Sequence, residues 1–304
     1  MNNNLFPVAF CPKYVHPLPE NHRFPMEKYA LLPQQLLLEG TLEVEDFFEP
    51  DELSNQWLNE VHDIDYIQRL FALELSIKEQ KATGFVHNKE LIQRESLIME
   101  GTRCCAEKAL VSGVAMNVAG GTHHAFANRG EGFCLLNDQA IAINWLLQKT
   151  NIKKVLIIDL DVHQGNGTAA IFKGIEEVFT FSMHAENNYP LKKEQSDLDV
   201  PLPDGTNDTS FLYALKKSLD QILSGFSPEF IFYQCGVDVL QTDKLGRLSL
   251  TRKGCKERDL TVFELVKQLS VPVVCSMGGG YSPNIADIIE AHANTFRVAR
   301  SLFS

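Results

Sequence analysis

A parallel β-sheet covered by helices on both faces is the fold this sequence predicts, and two observations carry the prediction. From about residue 114 onward, short apolar runs alternate with longer amphipathic stretches, the signature of strand–helix crossovers. Five polar clusters then fall just past candidate strands, the edge where open α/β sheets gather their sites. No repeat, low-complexity tract or linker divides the 304 residues, so one domain over 1–304 is expected.

Taken in order, residues 1–35 carry Pro7, Pro12, Pro17, Pro19, Pro25 and Pro33 and read as a short strand followed by surface loop. Residues 50–112 are mostly helical, with amphipathic stretches near 54–75 and 91–112. Strands are predicted at 114–118, 154–160, 178–183, 229–234 and 271–275 because each is a short apolar run. Helices are predicted at 137–149, 166–173, 209–223, 255–269 and 284–302.

Hydrophobic residues make up 44% of the chain and charged residues 22%, an ordinary globular mix. A net charge of −11 argues against nucleic acid as a partner and is compatible with a cationic substrate. The amino terminus, Met-Asn-Asn-Asn-Leu-Phe-Pro, lacks a basic region followed by an apolar core, so no secretory signal is expected. No apolar run approaches membrane-spanning length. The 7 cysteines are odd in number and form no CxxC pair, which reads as buried thiols in a reducing, cytoplasmic setting.

The most informative stretch is Ile157-Ile-Asp-Leu-Asp-Val-His-Gln-Gly-Asn-Gly-Thr168. Read as a strand, it puts Asp159, Asp161 and His163 on one side. Bare polar residues on a core strand are costly to bury, and a divalent metal would account for them. Asp161 and His163 supply an oxygen and a nitrogen ligand, and Asp238, past another strand, can supply a third. This set suits Zn²⁺, and Fe²⁺, Co²⁺ or Mn²⁺ would also fit. An ion pair or a helix cap is the other reading of Asp161 and His163. The tandem His123 and His124 follow a Gly-Gly turn, where imidazoles can exchange protons with a water and a leaving amine, or else hold a second metal. Tyr281 follows Gly278-Gly-Gly280, which lets a phenol approach the site and donate to an oxyanion; an ordinary loop tyrosine is the alternative.

Together, Gly120-Gly-Thr-His-His-Ala-Phe126, Gly132-Phe-Cys-Leu-Leu-Asn-Asp138, Asp159-Leu-Asp-Val-His163, Gln234-Cys-Gly-Val-Asp238 and Gly278-Gly-Gly-Tyr281 resemble the zinc-dependent histone deacetylase family, in the family's order, over roughly residues 10–300. Gln164-Gly-Asn-Gly and His292-Ala-Asn-Thr-Phe-Arg297 look closest to class IV deacetylases and their bacterial relatives. The resemblance implies an arginase/deacetylase fold: a three-layer α/β sandwich around a mainly parallel eight-stranded sheet. It implies zinc ligands Asp161, His163 and Asp238. It makes His124 the general base and acid, His123 its electrostatic partner, Asp159 the carboxylate orienting His123, and Tyr281 the carbonyl-polarising phenol. Phe133 and Tyr189 become walls of an acyl-lysine tunnel, with Gly132 and Gly279 also against substrate. Asp159, Asp161, His163, Ser182 and Met183 match a structural potassium site.

The chain departs from the best-known pattern. Asn166 stands where some members carry an aspartate paired with the second histidine, so it accepts a hydrogen bond without adding charge. Gln164 replaces a frequent histidine, and nothing matches the rim aspartate that grips a peptide backbone. Arg23 is expected on the acetate-release side. The resulting expectation is a metal-dependent deacetylase that removes an acetyl or longer acyl group from an acyl-lysine peptide or a small N-acylated amine. An acetylpolyamine deacetylase and a non-catalytic binding protein on the same scaffold are the rival readings, and the oligomeric state stays open.

Overall fold

The structure, a computed structural model, describes residues 6–303. Residues 1–5, which carry part of the reading about a secretory signal, lie outside the described residues. One sheet of eight strands forms the middle layer, in the order β2 (Phe47–Phe48), β1 (Val8–Ala9), β3 (Val114–Asn117), β8 (Val273–Ser276), β7 (Phe230–Gln234), β4 (Val155–Asp159), β5 (Val178–Ala185) and β6 (Leu198–Leu202). Every pairing is parallel, so the "mainly parallel" expectation becomes an all-parallel sheet.

The central strands are runs of β-branched and aromatic residues buried on both faces, as parallel strands under two helical layers must be. In β4, Val155 and Ile157 join Phe230 and Phe232 in one core, while Leu156 and Ile158 join Ile231 and Tyr233 in the other. The helix α5 (Lys89–Ser112) packs on β3 and on α6 (Asp138–Lys149); α10 (Ile285–Phe303) packs on α9 (Arg252–Leu269). Asparagine and threonine side chains fix several helix starts: Asn88 for α5, Asn137 for α6, Asn207 for α8 (Asp208–Leu223) and Thr251 for α9, whereas the short α7 (Asn166–Phe172) has no side-chain cap. Among the described residues no helix is long and apolar enough to cross a membrane.

The amino-terminal expectation needs correcting. Instead of surface loop, residues 28–38 form the helix α1 (Lys28–Leu38), which buries Tyr29, Leu32 and Leu36 against α10. Pro33 sits inside it and removes one backbone donor; the buried apolar face outweighs that loss. The region 54–112 is also more broken than predicted, forming α2 (Asn55–Asn59), α3 (Ile64–Phe71) and α4 (Ile77–Thr83) before α5. A Ser76–Glu79 capping box starts α4 and Gly84, at φ +76°, ends it.

Candidate metal centre and active site

The strand β4 ends at Asp159, so simple strand alternation does not deliver Asp161 and His163. Side chains set the spacing instead. Asp159 Oδ1 accepts from the Asp161 backbone N–H at 3.1 Å, and Asp161 Oδ1 accepts from that of His163 at 3.0 Å. Asp238, beyond the neighbouring β7, reaches across and accepts from Val162 N–H at 2.9 Å. His163 Nδ1 then lies 3.0 Å from Asp161 Oδ1 and 3.1 Å from Asp238 Oδ2, and ligand atoms of all three residues fall within 4.8 Å of one another. Gly279 N–H donates to Asp161 Oδ2 at 2.9 Å, and any side chain at Gly279 would run into the Asp238 carboxylate.

This trio is buried, and Asp238 Oδ2 makes no hydrogen bond beyond a 3.1 Å ion-pair contact with His163 Nδ1, which Asp161 shares. Burial and the Asp161 charge beside it push the Asp238 carboxyl up to about 7. Burial pulls His163 down, but the two carboxylates outweigh it and raise the imidazole to about 10. Such a cluster is short of positive charge, and a divalent cation fits its oxygen and nitrogen donors. One imidazole shared between two buried carboxylates leaves an excess of negative charge that an Asp161–His163 ion pair alone does not explain. Asp159 turns away from the trio toward His123.

The loop before the two histidines is pinned from below. The buried Asp138 carboxylate accepts from Gly121 N–H (3.0 Å), Thr122 N–H (2.9 Å) and the hydroxyls of Thr102 (2.7 Å) and Ser276 (3.1 Å). His123 Nδ1–H donates to Asp159 Oδ2 at 2.7 Å, and His124 Nδ1–H donates to Asn166 Oδ1 at 2.7 Å. The rings lie 4.1 Å apart. They differ electrostatically. Burial lowers His123, but Asp159 and Asp161 overcome it and lift it to about 9; burial, aided by His123 and His163, holds His124 well below the usual imidazole range. Among the described residues no second metal-ligand cluster includes these histidines.

An inner cavity and an outer pocket meet at His124, Gly132, Phe133, His163 and Tyr281, with Gly279 lining the inner one. The Phe133 ring lies 5.8 Å from that of Tyr281, and Tyr189 stands edge-on to His124 at 4.9 Å, so Phe133 and Tyr189 do flank the passage. Gly132 (φ +57°) presses on His124, where a Cβ would come 2.6 Å from Cδ2. Burial raises the Tyr281 phenol well above its ordinary range, which keeps it a donor. Ser182 lies opposite Asp159 in the β4–β5 register, but its hydroxyl pairs with His184 Nδ1 at 3.0 Å; Met183 is buried in the core.

Arg23 is placed differently from expectation. Its guanidinium lies 5.1 Å over the Phe133 ring and lines the outer pocket, because aromatic packing holds it at the mouth; Arg94 lines the inner cavity instead. Sequence reasoning also missed Asp243, whose Oδ2 accepts from Tyr281 N–H at 2.6 Å, and Lys28, which is buried and donates to Gly278 O at 2.8 Å. Glu131, bonded to Asn166, was missed as well. Its place between Gly130 and Gly132 was the one sequence signal for it.

A buried acid–imidazole trio at the carboxyl edge of a parallel sheet, with two histidines and a phenol facing it, is the layout of a metal-dependent hydrolase. Comparison with known proteins narrows the class. Residues 22–296 match the histone deacetylase domain. An uncharacterised protein of Picosynechococcus sp. is 43% identical over 98% of this chain and 99% of its own length. Histone deacetylase 2 of Arabidopsis thaliana is 32% identical, covering 88% of this chain and 72% of its own. The crystal structure of an HDAC homologue complexed with SAHA superposes with a TM-score of 0.84 at 27% identity, over 98% of this chain and 84% of that one. The chain belongs to the histone deacetylase family and has the arginase/deacetylase fold. It is a metal-dependent hydrolytic deacetylase.

Proposed function

We propose that this deacetylase cleaves the amide of an acylated lysine side chain, with residues 1–304 acting as one catalytic domain. The observation that carries the reading is the cation-deficient trio of Asp161, His163 and Asp238, with the His124 ring 5.8 Å and the Tyr281 ring 6.5 Å from that of His163. The trio would hold Zn²⁺, with Fe²⁺ the alternative its donors also accept. When bound, such an ion polarises the acyl carbonyl and acidifies a water.

The protein's own groups do the rest. His124 keeps its Nδ1–H on Asn166, so Nε2 is the atom that takes the proton of the attacking water and returns it to the departing amine. His123, tied to Asp159, adds positive charge beside it. Tyr281 donates its O–H to the carbonyl oxygen as negative charge gathers there. Phe133 and Tyr189 shield the acyl-lysine stem from water, while Gly132 and Gly279 leave it room. The products are a free amine and a carboxylate. A potassium ion held by Asp159, Asp161, His163, Ser182 and Met183, largely through backbone oxygens, would steady the same loops. The register of Asp159 beside Ser182 supports that part of the reading.

Arg23 and Lys244 line the outer pocket together with Arg247, which is paired with Asp204 at 3.0 Å, and among the described residues no carboxylate lines it. A polyamine would bring its remaining ammonium groups against like charge, so this mouth favours acyl-lysine in a neutral or acidic peptide. A panel of acyl-lysine peptides and acylated polyamines, run on metal-quantified enzyme with and without a hydroxamate chelator, tests this. The peptides should lead by about tenfold in kcat/KM, roughly 1.4 kcal/mol. His124→Ala and Tyr281→Phe should each lose on the order of 100-fold or more while remaining folded. Parental turnover by purified His124→Ala would remove that residue from its role.

A further inference from the structure

We propose that Glu131 is a positioning residue for His124, restoring through Asn166 the negative charge that Asn166 itself lacks. The inference rests on the proposed role of His124. The geometry is a directed chain. His124 Nδ1–H donates to Asn166 Oδ1 at 2.7 Å, and Asn166 Nδ2–H donates to Glu131 Oε1 at 3.0 Å. One proton arrangement satisfies both bonds, so the amide cannot turn over without placing N–H against N–H at one end and oxygen against carboxylate at the other. A carboxylate pulling on the amide N–H makes the amide oxygen a stronger acceptor for the imidazole.

Glu131 is also fixed in place. It stands between Gly130 and Gly132, and both are crowded: a Cβ on Gly130 would meet Cys134 O at 2.5 Å, and one on Gly132 would meet His124 Cδ2 at 2.6 Å. Burial and the nearby Glu131 charge raise the Tyr189 phenol above its ordinary range, and the Tyr189 ring packs edge-on against His124. Arg129 Nη2 lies 3.6 Å from Glu131 Oε1 and does not close the site, since that guanidinium is about half exposed. Glu131 thus bonds the partner of the base and sets a negative charge beside one wall of the passage. A surface glutamate would do neither.

A double-substitution cycle tests this on the metal-loaded enzyme. Glu131→Gln keeps the acceptor oxygen and removes the charge, and should lower kcat about fivefold to tenfold with KM within about twofold. Asn166→Asp in the parent places two carboxylates together and should lose more. In the Glu131→Gln background the same Asn166→Asp change should instead recover kcat to within about threefold of the parent. A second readout needs no turnover: the downfield ¹H signal of His124 Nδ1–H, identified by its loss in His124→Ala, should move upfield in Glu131→Gln. Asn166→Asp acting alike in both backgrounds, together with an unmoved His124 signal, would overturn the proposal. Inactivity of the parent on every acyl amide would count against the proposed function, and the NMR signal would still decide the role of Glu131.

Discussion

Two buried ionic clusters lie on adjoining segments at the carboxyl edge of the sheet, and only one of them is closed. In the first, Arg258 and Asp259 are wholly buried and each polar atom finds a partner. Arg258 donates to the carbonyls of Gly236 (2.5 Å), Cys235 (3.2 Å) and Leu160 (3.3 Å), while Asp259 accepts from Tyr233 Oη (2.5 Å) and Thr295 Oγ1 (2.7 Å). In the second, Asp161, His163 and Asp238 crowd together, and two carboxylates share the single His163 Nδ1, with no hydrogen bond completing Asp238 Oδ2. The closed cluster holds the carbonyl just before Asp161 and two on the segment leading to Asp238, so it braces the open one. Burial alone does not mark function; a buried charge left incomplete does.

The largest effect should follow from breaking the closed cluster. Arg258→Met strands Asp259 and frees three carbonyls, which should cost about 3–5 kcal/mol in urea unfolding. A loss below about 1 kcal/mol would show that the brace carries little of the fold's stability.

A second closed site sharpens the point through pH. His62 donates from Nδ1 to Phe126 O at 3.0 Å and accepts at Nε2 from Asn137 N–H at 3.1 Å, so the fold demands neutral imidazole. Burial lowers it from 6.5 to about 4. The unfolded chain therefore binds the proton first as pH falls. His62 contributes its full stability above about pH 6.5 and loses it as pH drops toward 4, by about 3 kcal/mol. Unfolding free energies of the parent between pH 8 and 4 should fall by about that much more than those of His62→Gln. Parallel curves would remove His62 as the cause.

The smallest effect is expected at the open cluster itself. In metal-free protein, Asp238→Asn keeps an acceptor for Val162 N–H, and relief of the repulsion from Asp161 offsets the lost ion pair with His163, so stability should change by less than about 1 kcal/mol. A loss like that of Arg258→Met would mean that Asp238 serves the fold rather than an ion.

The same contrast explains what was legible in the sequence. The central strands β3, β4, β7 and β8 announce themselves as apolar runs because both faces are buried. The edge strands do not. β2 has two residues, and β6 is half-exposed and contains Pro201, whereas β1, paired on both sides, is the short strand read in residues 1–35. Helix α1 hid behind prolines that normally break helices. At the site, Asp161, His163 and Asp238 were found because acids and imidazoles at strand ends lack a structural excuse. Glu131, Asp243 and Arg94 look ordinary in sequence, and their roles arise from hydrogen bonds and cavities that only folding creates. Strand alternation did not place Asp159, Asp161 and His163: side chain–backbone bonds set their spacing, and Asp159 faces His123 instead of the trio.

The most direct test is metal content. Elemental analysis of natively purified protein should find about one divalent ion per chain, lost in Asp161→Ala and Asp238→Ala but kept in Asp159→Asn, whose carboxylate faces His123. An ion that survives Asp238→Ala, or a parent that binds none even after zinc reloading, would contradict the account.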